Sequence, residues 1–533
     1  MKKTHKSATQ QKHNSCYQSR AQKKKNHLTE RLNYFISLTL HLRWRQGQTL
    51  LLMKHAFSKI LLLLTALPLL LLSCKKYEDL QVNPNEPSTA TPSLLLTNIC
   101  ISVFNYDPTY PAYAARHLTY YERGNSAVDY SWTSGEYSNF DVLRQVEKMD
   151  ELAQQNGAVN YTGLAKFFRA VLFSQLTEQF GDIPYSDALG ATDGNTKPLY
   201  DTQEAVYAGI LNELEEANNI LDDASGTIGG DIIYGGVASQ WKKLVNAFRL
   251  RLLIHLSKKE GNSSINIKEQ FQNIVSNPSQ YPLMESGDDN GQLVFNESAT
   301  SNYYPTCGSL SVGTAVSIEE GFANILKERS DPRLFSFADP ITGLPANIFD
   351  NYAGVNAGLT VADQQTVSAN ASRINRRYPD INNPVNEPLI LMGYPEQEFV
   401  IAEGIARGWV TGSGEDHYEN GIAASMAFYN IEVPAGYLDQ PNVKYDAANA
   451  IEFIIIQKYI ALFMQSGWEA FYEQRRTGIP HLNTGPGTYN DGRVPKRWLY
   501  PQSEYDYNAA NVESAIRNQF TDDDVNEAIW LIE

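Results

Sequence analysis

The chain has 533 residues, with 44 Lys and Arg against 60 Asp and Glu, for a net charge of −16. An acidic chain repels nucleic acid, whose binding rests on neutralising phosphates with Lys and Arg, so no nucleic-acid partner is expected. Four cysteines are too few for a disulfide framework, and with scattered histidines they offer no metal-ligand spacing, so neither a metal nor a cofactor is expected.

Residues 1–52 are rich in Lys, Arg and Gln and precede a second methionine that opens a complete export pattern. They are expected to be an upstream extension from a misassigned start. From Met53, a basic stretch with Lys54 and Lys59 leads into the apolar run 60–72 and then Leu71-Leu72-Ser73-Cys74. A basic start, an apolar centre and small residues at the cut mark a signal peptide over 53–73. The run is shorter than the roughly 20 residues a membrane-spanning helix needs. Its end resembles a lipobox, which predicts acylation of Cys74 with palmitate-type chains and a tether over 74–92. Beyond residue 73 the chain holds 31 basic and 59 acidic residues, a net charge of −28.

From 93 to 533 the pattern is helical, and Ser93 is expected to cap the first helix. Leu164, Phe167, Phe168, Val171, Leu172 and Leu176 mark one buried helix face; Trp241, Leu244, Val245, Phe248, Leu252 and His255 mark another. Thr202 with Gln203 and Glu204 opens a third helix with capping chemistry. Helical stretches fall in neighbouring pairs: 139–155 with 160–180, 202–223 with 237–259, 396–408 with 415–428, and 447–464 with 467–475. Short connections favour antiparallel pairing. Between the second and third pairs, about 262–390 is rich in Asn, Ser, Gly, Pro and Tyr and reads as an inserted irregular lobe. Asp288-Asp289-Asn290 within it lacks a calcium-loop pattern and reads as an exposed turn. Cys100 reads as a buried thiol; whether it pairs with Cys307 is open.

Several stretches resemble the SusD/RagB family of outer-membrane nutrient-binding lipoproteins. Phe180-Gly181-Asp182-Ile183-Pro184-Tyr185-Ser186 is similar to its FGDxPYS turn, and Trp241 to Arg251 to its W-x-K-x-x-N helix. Asp331-Pro332-Arg333, Glu398 to Glu403, Gln457 to Leu462, Arg475 to Gly478, and Tyr500-Pro501 with Glu504 and Asn508 follow in the family's order. Gly404 departs from a frequent Ala and Tyr459 from a frequent Trp. The resemblance implies a mostly α fold of tetratricopeptide-like helix pairs, an α-superhelical scaffold with the lobe inserted. It also implies a lid on a SusC-like TonB-dependent transporter that captures oligosaccharide or peptide. Trp241, Asn246 and Arg249 read as packing residues, and Arg475 and Arg476 as partners of carboxylates.

No zinc, nucleophile-elbow or phosphate-loop motif is present, so no catalytic residue is expected. A lipid-anchored glycoside hydrolase is the competing reading, because it requires only two carboxylates. Aromatics in non-helical segments are free of helix packing and are the expected ligand contacts. They are Tyr130, Trp132 and Tyr137, then Tyr303 and Tyr304 beside Pro305, then Tyr352. Ring faces stacking on apolar sugar faces, with Asn and Asp nearby for hydroxyls, would suit a neutral glycan.

Overall fold

A computed structural model describes residues 90–533. The expected extension, the signal peptide, Cys74 and nearly all of the tether lie outside the described residues. Among those described, no helix is long and apolar enough to cross a membrane.

Helix α1 (Pro92–Phe104) is capped by Thr91, whose hydroxyl accepts from Leu94 N at 3.3 Å. Ser93, expected in that role, lies inside the helix, because Pro92 takes the first helical position, where its missing N–H costs nothing. Then come α2 (Thr109–Ala114), β1 (Leu118–Tyr120), α3 (Ser126–Asp129), α4 (Asn139–Asn156), α5 (Val159–Phe180), α6 (Gln203–Ile220) and α7 (Ala238–His255). Thr202 caps α6 as expected, accepting from Ala205 N. Helix α5 stops at Gly181, whose φ of 86° suits a residue without Cβ. Helices α4 and α5, α5 and α6, and α6 and α7 pack as successive neighbours.

The lobe is less irregular than expected. It holds α8 (Ile267–Ser276), β2 (Gly291–Leu293), α9 (Leu310–Ala315), β3 (Val316–Ile318), α10 (Glu320–Glu328), α11 (Leu334–Phe337), α12 (Val361–Ser368) and β4 (Leu389–Met392). Asp289 is buried rather than exposed: it accepts from Lys243 Nζ at 3.0 Å and from Glu285 N at 2.7 Å. Of two short antiparallel ladders, the first ties the lobe to the scaffold and the second joins two segments of the lobe itself. One pairs β1 with β3 (Leu118 opposite Ile318, Tyr120 opposite Val316); the other pairs β2 with β4. Arg333 is fully buried and binds Asp331, Ser425 Oγ and Gln457 Oε1, which fastens the lobe to the C-terminal helices. Cys100 and Cys307 are both free thiols, and Cys100 is buried.

The C-terminal part comprises α13 (Tyr394–Ala406), α14 (Gly414–Phe428), α15 (Ala450–Ala461), α16 (Glu469–Thr477), α17 (Gln502–Tyr507) and α18 (Ala509–Gln519). Helix α13 packs on α14 and α15 and also on α7, so the two halves of the scaffold meet across the inserted lobe. The chain is mostly α, with paired helices in the expected order.

At that meeting point lies a buried ionic network. Glu178 (α5), Glu396 and Glu403 (α13), and Glu469 and Glu473 (α16) face Arg251 and His255 (α7), Lys458 (α15), and Arg475 and Arg476 (α16). Arg251 donates twice to Glu396, at 2.6 and 2.5 Å. His255 bridges Glu178 at 2.8 Å and Glu469 at 2.9 Å. Arg475 binds Glu178, and Arg476 binds both Glu403 and Glu473. The expectation for the two arginines is met. His255, Glu469 and Glu473 lie close enough to hold a metal ion, but the Lys458 ammonium, 3.0 and 3.4 Å from the two carboxylates, already supplies a cation there.

Among these fully buried groups carboxylates equal cations only if His255 carries a proton, and the less buried Arg407 adds one more cation on Glu403. Burial opposes that charge, yet Glu469 and Glu178 outweigh it and raise the imidazole to about 9. Burial likewise opposes the charge on Glu403, but Arg476 and Arg407 outweigh it and hold its carboxyl down to about 2.

The departure at Gly404 has a structural reason. Phe271 of α8 packs directly on Gly404, and a Cβ there would clash with the Cε1 and Cζ edge of its ring. Phe271 is fully buried against Trp409, so it has no room to retreat. Gly404→Ala is therefore expected to cost about 1–3 kcal/mol in urea unfolding, as overpacking does, and Phe271→Leu in the same chain should recover part of that loss. The second prediction concerns pH. Because His255 binds its proton more tightly in the folded than the unfolded state, its contribution is complete below pH 6.5 and lost as pH rises toward 9. The melting temperature should fall across that window, and His255→Gln should flatten the slope while lowering stability throughout.

Candidate ligand-binding site

Between α1 and α4 the chain makes a tyrosine-dense passage, Tyr106 to Tyr121, interrupted by Pro108 and Pro111. Asp107 starts a tight turn, accepting from Thr109 N at 2.9 Å and Thr109 Oγ1 at 2.7 Å. Helix α2 follows, then β1, which pairs with β3 of the lobe. Tyr121 N donates to Ala315 O at 3.1 Å and extends that ladder to the end of α9. A groove of 540 Å³ lies where these early segments face the lobe.

One wall carries Tyr110, Tyr113 and Tyr120, with ring centroids 6.3 Å apart in each successive pair. The other carries Thr306, Ser309, Ser311 and Val312. Arg123, Asn125 and Asp107 complete the rim. Tyr110 is 47% exposed, which leaves ring surface open to a ligand, while Tyr113 is packed behind it. Burial pushes the Tyr113 phenol well above its ordinary range; the Tyr120 phenol is also raised, by burial and by its hydrogen bond to Glu122 at 2.8 Å. Both therefore act as neutral hydroxyls. The side chains supply aromatic faces, hydroxyls, one amide, one guanidinium and one carboxylate. That set suits a polyhydroxylated ligand with apolar ring faces. Hydrolysis by paired acids needs a carboxylate on each side of the scissile bond, and the groove lining contains Asp107 alone.

The aromatics expected to be exposed fall into two groups. Tyr130, Tyr304 and Tyr352 are each 1% exposed, which corrects the premise that non-helical aromatics stand free. Tyr130 donates to Ala114 O at 2.7 Å and lies under the Arg116 guanidinium, 4.1 Å from its centroid. Tyr304 packs between Phe295 and Tyr378, and Tyr352 against Phe335. In segments with so little regular structure, these rings form the core that helices supply elsewhere. Trp132, Tyr137 and Tyr303 are half-buried. Trp132 stacks on Trp498 at 4.2 Å and meets Trp468 edge-on at 5.9 Å. Tyr137 packs on Phe140 and Phe180. Tyr303 is two residues from Pro305 in the groove wall. Tyr110, Tyr113 and Tyr120 were not among the expected contacts. The signal that could have found them is the density of tyrosines in a proline-broken segment between two strong helices.

The motif residues serve the frame of the site. Trp241 Nε1 donates to Asp231 at 2.8 Å, Asn246 to Asn218 Oδ1 and Pro282 O at 3.0 Å, and Arg249 pairs with Glu215. Tyr500 donates to Asp182 O at 2.7 Å, and Asn508 to Pro198 O at 2.9 Å, so the C-terminal motif clamps the turn after α5. Tyr459, in place of Trp, donates to Ala115 O at 2.7 Å and packs at a tilt on His117, which holds the end of α2 in place.

The family model described as starch-binding, associating with the outer membrane, SusD-like, matches residues 84–501. Among solved structures, the chain is similar to a SusD homologue of Bacteroides fragilis at 39% identity, with a TM-score of 0.76, covering 84% of this chain and 100% of that one. A second SusD homologue of the same species matches at 31% identity and a TM-score of 0.77, over 83% of this chain and 100% of its own. A chitin-binding protein matches at 25% identity and a TM-score of 0.71, over the same shares. No curated protein sequence matches the chain. With its helix pairs, its motifs in order and this agreement along most of its length, the chain belongs to the SusD-like family of outer-membrane nutrient-binding proteins.

Proposed function

We propose that this chain is a surface lipoprotein, anchored by acylated Cys74, that captures a neutral oligosaccharide in the tyrosine groove and delivers it to a SusC-like TonB-dependent transporter. The observation that carries this reading is the groove itself: a row of mutually tilted tyrosines opposite a wall of hydroxyls, at the junction of scaffold and lobe. Family membership supports the outer-membrane setting, and the chitin-binding relative supports a glycan over a peptide. Tyr303 flanks the groove as a further contact. Trp132, stacked on Trp498 and edge-on to Trp468, lies outside the groove lining. The strong negative charge of the chain beyond residue 73 makes binding to an anionic leaflet unfavourable without a lipid anchor.

Two measurements test this. In calorimetry against maltohexaose, chitohexaose and cellohexaose, at least one should bind. Tyr110→Ala and Tyr120→Ala should each weaken that binding by about 1–2 kcal/mol, the loss expected when a stacking anchor is truncated; unchanged affinity in both variants would remove the groove. In cells, Cys74→Ala should abolish labelling by radioactive palmitate and release the protein from the outer membrane, and retained labelling would refute the anchor.

A further inference from the structure

Tyr110 and Asp107 line the tyrosine groove on one side and a second cavity, of 350 Å³, on the other. This second cavity runs inward between α1, α4, α5 and α7 to the edge of α16. Its aromatic walls are Tyr106, Tyr110, Phe248, Trp468 and Tyr472. Trp468 is held edge-on by Trp132 and Trp498, so its ring orientation is set before any ligand arrives.

One buried polar group in the lining stands without a hydrogen-bond partner. Tyr472 is 7% exposed, yet its hydroxyl lacks a hydrogen bond. The Gln179 side chain is its polar neighbour, and the backbone oxygen of Gln179 is already engaged by Trp498 N. A buried hydroxyl left unpaired costs about 1–3 kcal/mol, so a ligand that satisfies it gains selectively. The floor is formed by Glu178, Arg251, His255 and Glu469 of the ionic network. Each of these charges is already matched: Arg251 by Glu396, His255 by Glu178 and Glu469, and Glu469 further by Lys458. A charged ligand would find no free counter-ion there, whereas a neutral one loses nothing by that.

The geometry points to an end-on subsite: the second cavity receives the terminal neutral sugar residue of a chain whose adjoining residues cross Tyr110 into the tyrosine groove. This inference rests on the glycan reading above and adds to it that the ligand is recognised by its end. A cavity of this volume lies near the small end of ligand pockets, consistent with one terminal unit and not with a passing chain.

The test compares ends with interiors. The full-length lipoprotein, purified in detergent, is titrated with maltohexaose, chitohexaose and cellohexaose and with the matching soluble polymers (amylose, glycol chitin and hydroxyethyl cellulose), in which ends are rare. Tyr472→Phe and Gln179→Leu should each weaken the best-bound hexaose about three- to tenfold, the effect of one neutral hydrogen bond, and leave the polymer unchanged. Tyr120→Ala should weaken both. Melting curves establish that each variant is folded, and either variant decides the question if the other is not. Hexaose affinity equal to wild type in the folded variants, or an equal loss for hexaose and polymer, overturns the end-on subsite while leaving the groove intact. A wild-type protein that binds none of the glycans overturns the glycan reading and this subsite with it.

Discussion

The ionic network between α5, α7, α13, α15 and α16 is the constraint on which the rest of the molecule depends. Charges taken out of water cost several kcal/mol each, and only a complete set of partners offsets that. Here the partners come from helices far apart in sequence: Glu178 meets Arg475, and Arg251 meets Glu396. No one helix can keep its charged residues buried unless the others are in place. The network therefore ties the early helices to the late ones across the inserted lobe and penalises any other arrangement of the helices. Its dependence on a protonated His255 makes this junction sensitive to pH, although the imidazole is far from solvent.

With the two halves fixed, the lobe needs only light fastening. The β1–β3 ladder and the buried Arg333, through Ser425 and Gln457, provide it. The β1–β3 ladder has the larger consequence for function. By setting Tyr120 opposite Val316, it brings the tyrosine wall of the early segment against the Ser and Thr side chains before and within α9. The groove is thus a junction between two parts of the chain, and neither part has a ligand surface alone. Loops can carry such a surface because the scaffold beneath them is rigid. The cavity beyond Tyr110 shows the same economy, since its floor is the network and its outer wall is the tryptophan cluster.

Much of the scaffold was legible in the residues. The apolar stripes of α5 and α7, the capping chemistry of Thr202 and the stop at Gly181 are local signals, and each appears where the periodicity placed it. The roles of Arg475 and Arg476 were also legible, because an arginine in an acidic chain finds carboxylates. The ligand face was not. Exposure was inferred for Tyr130, Tyr304 and Tyr352 from their lack of helical context, but segments made of short elements must build a core from whatever aromatics they have. Asp289 was misread for a related reason: its partner Lys243 lies on a helix that sequence distance gives no cause to connect with it.

The sequence alone determined the helix pairs, their order, the acidic surface and the expectation of an anchor at Cys74. Those features depend on spacing within a turn or two of helix, or on composition. Tertiary structure alone decided which tyrosines line the groove, which carboxylate meets which cation, and why residue 404 must be Gly. Each of those depends on contacts between segments tens to hundreds of residues apart, and neither helical period nor local propensity carries that information.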